Sequence, residues 1–195
     1  MKQKINSIAL FGTSADPPTL GHQAILKELT KTFPKVITWA SDNPDKNHQI
    51  PLTKRTQLLR ILVKKISHPQ LELVQELSSP RTIHTLTKAF KLWPEASFSF
   101  VIGSDLANQI PKWLNAESIL NQAKIAIAIR DGWPICDAQI KEIKNLGGEI
   151  ELLPFKIPGS SSSNFRERPL EELVPSEIIP TLLEENLYGL ADKRK

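Results

Sequence analysis

Six short apolar segments recur along the chain, and a stretch with helical periodicity separates each from the next. The apolar segments are nearly continuous rather than alternating with polar residues, which is typical of strands buried on both faces of a parallel sheet. The alternation therefore predicts an α/β fold with a doubly wound parallel sheet. The predicted strands are Ser7–Phe11, Val36–Ala40, Leu71–Val74, Phe98–Ile102, Ile125–Ile129 and Ile150–Leu153. The predicted helices are Leu20–Thr32, Lys54–Ile66, Thr82–Leu92, Ser104–Ile110, Ala116–Gln122 and Ala138–Leu146.

The length and composition fit a single globular domain. The chain has 195 residues, of which 40% are hydrophobic and 24% charged, so we expect one domain over residues 1–190 and a basic, disordered tail over 191–195. No apolar run approaches the about 20 residues of a membrane span, and no secretory leader pattern follows Lys2 and Lys4. The single cysteine, Cys136, leaves no internal disulfide. We therefore expect a cytoplasmic protein without a membrane partner.

The net charge of +4 is compatible with anionic substrates. Aromatic residues do not interleave with the basic ones, so we expect no nucleic-acid partner. His48 and His68 have no partner at metal-ligand spacing, so we expect no metal site built from protein ligands. Self-association into a homo-oligomer is the default expectation for a soluble chain.

Small residues and a proline pair connect the first predicted strand to the first predicted helix. Small residues at such a turn let backbone N–H groups approach a ligand closely. Thr19 and His22 lie three residues apart and share a face at the positive end of the helix, where anions bind. The pattern favours a phosphate site that an imidazole faces. The further candidate residues of this segment are Gly12, Thr13, Ser14, Ala15 and Gly21.

Four consecutive serines, residues 160–163, precede Arg166 near the end of the predicted sheet. Such a stretch can be a flexible linker. A helix that begins among the serines would instead bring hydroxyls, N–H groups and a guanidinium together, a combination suited to a polyphosphate. We therefore take Ser161, Ser162, Ser163 and Arg166 as candidate phosphate ligands.

The segment Thr19-x-Gly21-His22 resembles the [H/T]-x-G-H signature of the nucleotidyltransferase superfamily. Residues 12–22 as a whole resemble G-G-[ST]-F-[DN]-P-x-H-x-G-H of the bacterial nicotinate-nucleotide adenylyltransferases, and residues 160–166 resemble their I-S-S-T-x-[IL]-R segment. The resemblance spans nearly the full chain and implies a Rossmann-like nucleotidyltransferase fold. The chain departs from the first pattern at Thr13, Ala15 and Thr19, where the family has glycine, an aromatic residue and histidine.

The same resemblance implies where a mononucleotide would bind. Gly103 and Asp105 with Trp113 downstream are similar to the family's I-G-x-D segment and its tryptophan, near the ribose. Arg81 stands where the family has a tyrosine, as a possible partner for a nicotinate carboxylate, and a surface arginine is the alternative. Lys46 and Arg55 resemble the family's mononucleotide-phosphate residues, with a solvated basic face as the alternative. Thr82 completes the predicted mononucleotide set, whereas we expect His84, in place of the family's aspartate, to be an ordinary helix residue.

The resemblance implies adenylyl transfer from ATP to nicotinate mononucleotide, with Mg²⁺ accompanying ATP and pyrophosphate as the second product, a step of NAD biosynthesis. It assigns His22 and Thr19 to the α/β-phosphate region, and Ser162, Ser163 and Arg166 to the β/γ region. Three alternatives remain open: another transferase of the superfamily, with nicotinamide mononucleotide, phosphopantetheine or a cytidylyl reaction; a nucleotide sensor without turnover; and a synthetase-like RNA enzyme.

Overall fold

The computed structural model describes residues 7–194, and the side chains of residues 7–192. Its centre is a six-stranded parallel sheet in the order β3-β2-β1-β4-β5-β6. The strands are β1 (Ser7–Thr13), β2 (Val36–Ala40), β3 (Leu71–Leu73), β4 (Ser97–Gly103), β5 (Lys124–Arg130) and β6 (Ile150–Ile157). The predicted α/β class and doubly wound parallel sheet are confirmed, and β6 runs four residues beyond its predicted end at Leu153.

Helices connect the strands and cover both faces of the sheet. They are α1 (Leu20–Thr32), α2 (Leu52–Ile66), α3 (Thr82–Leu92), α4 (Ala116–Gln122), α5 (Asp137–Asn145), α6 (Ser162–Glu167) and α7 (Ile179–Glu184). The predicted helix after β4 is instead a 3-10 helix, Ser104–Lys112, with Pro111 inside it. A proline there removes an N–H donor and crowds the preceding turn, which disfavours a regular α-helix.

Successive residues of β1 pack into two different cores. Ile8 and Leu10 face one core together with Phe98, whereas Ala9 and Phe11 face the other. Since the side chains of a strand alternate between faces, apolar residues at consecutive positions require a cover on both sides. A third cluster, built from α2, α6 and the C-terminal segment, includes Leu58, Phe165, Leu182 and Tyr188.

The neighbours of β1 separate at its carboxyl end. β1 pairs with β4 up to Leu10 but with β2 up to Thr13. The chain leaves β1 toward one side of the sheet and later returns to β4 on the other side, so a crevice opens between the ends of β1 and β4. Ligands of open α/β sheets bind at such a switch point.

The structure describes only part of the predicted C-terminal tail, residues 191–195. Residues Ala191–Arg194 form a short 3-10 helix, and Leu187–Gly189 form another. The side chains of residues 193–195 and all of residues 1–6 lie outside the described residues, so the disordered basic tail and the boundaries of the single domain stay predictions. No helix within residues 7–194 has both the length and the apolar character needed to cross a membrane.

Candidate active site

A cavity of about 370 Å³ lies over the switch point between β1 and β4. This volume is within the range of small-molecule sites, about 300–1,000 Å³. Segments that follow β1, β2, β3 and β4 line it, together with Arg130 at the end of β5 and the start of α6. The predicted site residues that line it are Gly12, Thr13, Ser14, His22, Lys46, Thr82, Gly103, Asp105, Trp113, Ser161, Ser162, Ser163 and Arg166.

One side of the cavity, called here the α1–α6 wall, consists of residues 12–22 and 160–166. Its centre is His22, in the first turn of α1, whose Nδ1 accepts a hydrogen bond of 2.9 Å from the backbone N–H of Thr19. Because Nδ1 is an acceptor, the neutral ring carries its proton on Nε2. Thr19 Oγ1 also lies 2.8 Å from Nδ1. The histidine therefore offers an oriented N–H donor.

The charge state of His22 follows from its surroundings. Burial lowers the pKa of His22 to about 3, and the positive charge of Arg130 acts in the same direction. The residue as a whole is only 8% exposed. His22 is therefore a neutral imidazole at neutral pH, so it can donate a hydrogen bond to an anion but brings no positive charge of its own.

The two segments of the α1–α6 wall are joined by hydrogen bonds. Thr19 Oγ1 donates to the carbonyl oxygen of Ser160 at 3.2 Å, and the N–H of Gly21 donates to Ser160 Oγ at 2.9 Å. Ser162 Oγ donates to the carbonyl oxygen of Pro17 at 2.8 Å. A Cβ at Gly21 would lie 2.8 Å from the Ser160 carbonyl oxygen, so only glycine permits this contact.

Arg166 supplies the positive charge of this wall. Its Nη1 donates to the carbonyl oxygen of Asp16 at 2.8 Å, and its Nη2 donates to Ser163 Oγ at 3.3 Å. The side chain is 26% exposed, so the guanidinium is anchored at one edge and still reaches the cavity. A planar guanidinium with remaining N–H donors is well suited to phosphate oxygens.

The opposite side, the β4 wall, comprises residues 79–82 and 103–113 together with Arg130. Arg130 Nη1 is 3.1 Å from Asp105 Oδ2, and both side chains are mostly buried. Asp105 Oδ1 and Arg130 Nε are buried without a hydrogen-bond partner in the structure. Unpaired buried polar atoms are costly, so this pair is a good place for a ligand hydroxyl or oxyanion. A Cβ at Gly103 would lie 2.4 Å from Asp105 Oδ1, hence glycine precedes the pair.

Comparison with known proteins agrees with this geometry. The family model described as Cytidylyltransferase-like matches residues 10–168. A Synechocystis sp. protein named "Probable nicotinate-nucleotide adenylyltransferase" is 33% identical over 196 residues, which cover 93% of this chain and 98% of that protein. The chain therefore belongs to the nicotinate-nucleotide adenylyltransferase family. A Bacillus cereus protein of the same name is 26% identical, covering 90% of this chain and 92% of its own length.

A solved structure shows the same fold at lower sequence identity. The Plasmodium falciparum nicotinic acid mononucleotide adenylyltransferase complexed with NaAD superimposes with a TM-score of 0.76 at 20% identity, covering 95% of this chain and 98% of that chain. The family model and the relative at 33% identity confirm the resemblance named from the motifs. The structural match confirms the Rossmann-like nucleotidyltransferase fold that it implies.

The departures of this family member from the motif have local explanations. Thr13 Oγ1 accepts a hydrogen bond from the N–H of Ala15 at 3.2 Å, which helps hold Ala15 at its positive φ of 48°. An aromatic residue has no room here because Ala15 is fully buried. Thr19 is the N-cap of α1 and fully buried. Ala15 and Thr19 therefore shape the wall from behind rather than line the cavity.

Arg55 corrects a prediction. The side chain is 1% exposed and does not line the cavity. Its Nη1 donates to the carbonyl oxygens of Ser14 and Ser41, each at 2.7 Å, and burial lowers its pKa. Arg55 therefore braces the loops after β1 and β2 and is not available to a mononucleotide phosphate. The basic position in the motif could not indicate that the guanidinium is enclosed.

Two other predicted residues, Gly21 and Arg81, also lie away from the cavity lining. Gly21 packs against Ser160 as described above. Gly12 does line the cavity, but its need for glycine comes from Trp39, whose ring would lie 2.5 Å from an added Cβ. Arg81 sits at the rim, where its Nη1 pairs with Asp45 Oδ2 at 2.6 Å, with both side chains exposed.

Motif reasoning missed Arg130, Asp16 and His48, all of which line the cavity. Arg130 ends β5, so the rule that ligands bind at the carboxyl ends of parallel strands could have found it. Asp16 was within the recognised motif but was not assigned a role. Burial lowers the pKa of His48, with Arg55 adding to the effect, and its Nε2 is buried without a partner in the structure.

Proposed function

We propose that this protein transfers the adenylyl group of ATP to nicotinate mononucleotide, forming the deamido dinucleotide and pyrophosphate, a step of NAD biosynthesis. The observation that carries the proposal is the neutral, oriented imidazole of His22, which lines the same cavity as Arg166 at the switch point of the sheet. Family membership supplies the reaction, since the relatives at 33% and 26% identity carry the name nicotinate-nucleotide adenylyltransferase.

The α1–α6 wall would hold the triphosphate of ATP. The Nε2–H of His22 would donate to an oxygen of the α/β region, and Ser163 and Arg166 would bind the β/γ region. Ser162 and Thr19 donate their hydroxyl protons to backbone carbonyls, and Ser161 donates its own to Asn164 Oδ1, so we assign these three residues to holding the wall together. These groups are fixed before the substrate arrives, which is how fixed dipoles stabilise a transition state most effectively.

The β4 wall would hold the mononucleotide. Asp105 Oδ1 has no partner in the structure and would accept from a ribose hydroxyl, while Arg130 Nε would donate to a neighbouring oxygen. Trp113 lines the cavity and meets Phe100 edge-to-face, with 5.8 Å between the ring centroids, so it offers a fixed aromatic surface to a pyridine ring. Lys46 and Thr82 lie near the mononucleotide phosphate and ring in this proposal.

The chemistry would be a single in-line displacement. A phosphate oxygen of the mononucleotide attacks the α-phosphorus of ATP, the new P–O bond forms, and the bond to the β-phosphate oxygen breaks. Pyrophosphate leaves with the displaced electron pair, so no proton transfer or covalent enzyme intermediate is needed. The protein contributes positioning and stabilisation of negative charge.

Mg²⁺ fits this site as part of the ATP complex. Among residues 7–194, no group of three or more His, Cys, Asp or Glu side chains is arranged to hold a metal. Asp16 and Asp105 line the cavity but are engaged by Arg166 and Arg130. Magnesium ions commonly keep several waters and bind substrate phosphates, and the ion would neutralise charge on the transferring phosphates. We further propose a cytoplasmic enzyme that acts on small molecules rather than nucleic acid, either alone or as a homo-oligomer.

The test is pyrophosphate release from Mg-ATP with three acceptors: nicotinate mononucleotide, nicotinamide mononucleotide and phosphopantetheine. We expect release with the acid at a kcat/KM at least tenfold above that with the amide, and none with phosphopantetheine. A preference for either other acceptor would contradict the proposed substrate. Silence with all three from a folded sample that binds ATP would indicate a nucleotide sensor.

A further inference from the structure

Tyr188 lies in the C-terminal segment, outside both phosphate motifs. It is only 8% exposed. Its backbone φ is 59°, in the left-handed region that a bulky residue seldom adopts. Asn186 and Gly189 on either side also have positive φ, 44° and 68°. Such a strained turn persists only where the surrounding contacts determine it. The buried side chain of Tyr188 supplies such contacts.

Those contacts reach both segments of the α1–α6 wall. The Tyr188 hydroxyl donates to Asp16 Oδ1 at 2.7 Å. Its ring packs edge-to-face against Phe165, with 5.7 Å between the centroids, and Phe165 directly precedes Arg166 in α6. One side chain from the C-terminal segment thus touches the first motif and the neighbour of the arginine in the second.

Asp16, which accepts from Tyr188, also contacts Arg166. The carboxylate is 1% exposed, and its Oδ2 accepts from the backbone N–H of Gln49 at 2.9 Å. The same Oδ2 lies 3.5 Å from Arg166 Nη1, which also donates to the Asp16 backbone carbonyl oxygen. A buried carboxylate is tolerated only when its oxygens have partners. Burial, followed by the hydrogen bond to Asp16, raises the pKa of Tyr188, so the hydroxyl remains a donor at neutral pH.

We propose that Tyr188 is a positioning residue: through Asp16 and Phe165 it holds the Arg166 guanidinium in the orientation that binds the polyphosphate. The proposal rests on the proposed function, because it takes the polyphosphate of ATP as the ligand of this wall. Its effect is confined to the ATP side of the reaction, since none of these contacts reaches the β4 wall.

The first test is the variant Tyr188→Phe, which removes the hydroxyl and retains the ring against Phe165. We expect the Kd and KM for Mg-ATP to rise about tenfold, as for loss of one hydrogen bond to a charged group, while the KM for the mononucleotide stays within twofold. Asp16→Asn keeps the shape of the side chain and removes its charge, and it should raise the same two constants. The second variant decides the matter if the first does not fold.

The matched control is Leu190→Ala. Leu190 belongs to the same segment and the same apolar cluster and is 2% exposed, but it makes no hydrogen bond to Asp16. This change should lower the melting temperature at least as much as Tyr188→Phe while leaving the Kd for Mg-ATP within twofold. If Leu190→Ala weakens ATP binding equally, Tyr188 contributes only stability and the proposal is wrong.

A double-mutant cycle with Arg166→Ala tests the route. If Tyr188 acts through Arg166, adding Tyr188→Phe to Arg166→Ala should change the Kd for Mg-ATP by less than twofold. If the fold-change in Kd of the double variant equals the product of the fold-changes of the two single variants, the proposal is wrong. Measurements of Mg-ATP binding to the wild type distinguish a failure of this proposal from a failure of the proposed function. If the wild type binds Mg-ATP but does not turn it over, only the proposed function is contradicted. If the wild type does not bind Mg-ATP, both the proposed function and the role of Tyr188 are contradicted.

Discussion

The two walls of the cavity are built in opposite ways. In the α1–α6 wall, side chains donate hydrogen bonds to backbone carbonyl oxygens more than a hundred positions away in sequence, as Thr19 does to Ser160 and Arg166 does to Asp16. In the β4 wall, Asp105 Oδ1 and Arg130 Nε lack partners, and the rim is an exposed pair of Arg81 with Asp45. The first wall is complete before a ligand binds, and the second is completed by one.

This difference fits the two kinds of group to be bound. A triphosphate presents the same charge and geometry in every ATP molecule, so fixed donors can be aimed at it in advance. The site must distinguish one mononucleotide from chemically similar ones. Polar atoms of the protein that have no hydrogen-bond partner until the ligand binds disfavour a ligand that lacks the matching groups. We therefore expect substitutions in the α1–α6 wall to affect turnover most and those in the β4 wall to affect acceptor binding most.

The largest effect is expected for His22→Ala. Loss of the oriented Nε2–H should lower kcat by a hundredfold or more, on the order of 3 kcal/mol as for other transition-state donors. The measurement is steady-state pyrophosphate release at saturating substrates. His84→Ala is the matched control, because His84 is an exposed histidine of α3 that does not line the cavity, and its kcat should stay within twofold. Turnover like the wild type in His22→Ala would remove His22 from the mechanism.

A second effect should appear in the pH dependence of stability. The pKa of His22 is about 3 in the folded state but about 6.5 in the unfolded chain. As the pH falls below about 6.5, the unfolded state takes up the proton first, so the folded state loses about 1.4 kcal/mol per pH unit. Between pH 7 and 5, urea unfolding of the wild type should lose about 2 kcal/mol relative to His22→Gln. A constant difference across that range would mean that the ring is not buried as described.

Next in size is Trp113→Ala in the β4 wall. Removal of the aromatic surface should raise the KM for the mononucleotide about tenfold, a typical cost of one lost stacking contact. The KM for ATP should stay within twofold. Trp113→Phe, which retains an aromatic ring beside Phe100, serves as the control. Its KM for the mononucleotide should lie between those of the wild type and Trp113→Ala. An equal rise in both KM values would show that the walls do not act separately.

The smallest effect is expected at the rim. Asp45→Asn should change the free energy of unfolding by less than about 1 kcal/mol, because exposed ion pairs contribute little. It also frees Arg81, so the ratio of kcat/KM for the acid over the amide mononucleotide should rise up to about threefold. Arg81→Ala should lower that ratio. An unchanged ratio in both variants would make Arg81 a surface arginine, the alternative interpretation of its position.

The fold was predictable because its signals are local. The near-continuous apolar strands and the helices between them are each encoded within about 15 residues, and β6 differed from its prediction only in length. The α1–α6 wall was predictable in part, since two short motifs named most of its lining. Their mutual hydrogen bonds join distant segments and have no counterpart in local sequence.

The remaining errors share that physical origin. Arg55 carries a charge, which usually indicates an exposed side chain, but three backbone carbonyls surround its guanidinium and permit its burial. Tyr188 was not among the predicted site residues, because its contact with Asp16 spans 172 positions. Gly12 and Gly21 suggested close approach of a ligand, whereas the structure shows close approach of Trp39 and Ser160.

The most direct test of the two-wall account is calorimetric binding of Mg-ATP and of nicotinate mononucleotide, each measured separately, to the wild type, Arg166→Ala and Trp113→Ala. The account predicts that Arg166→Ala weakens ATP binding at least tenfold and leaves mononucleotide binding within twofold, and that Trp113→Ala does the reverse. If either variant weakens both ligands equally, or if the pattern is inverted, the assignment of the walls to the two substrates is wrong.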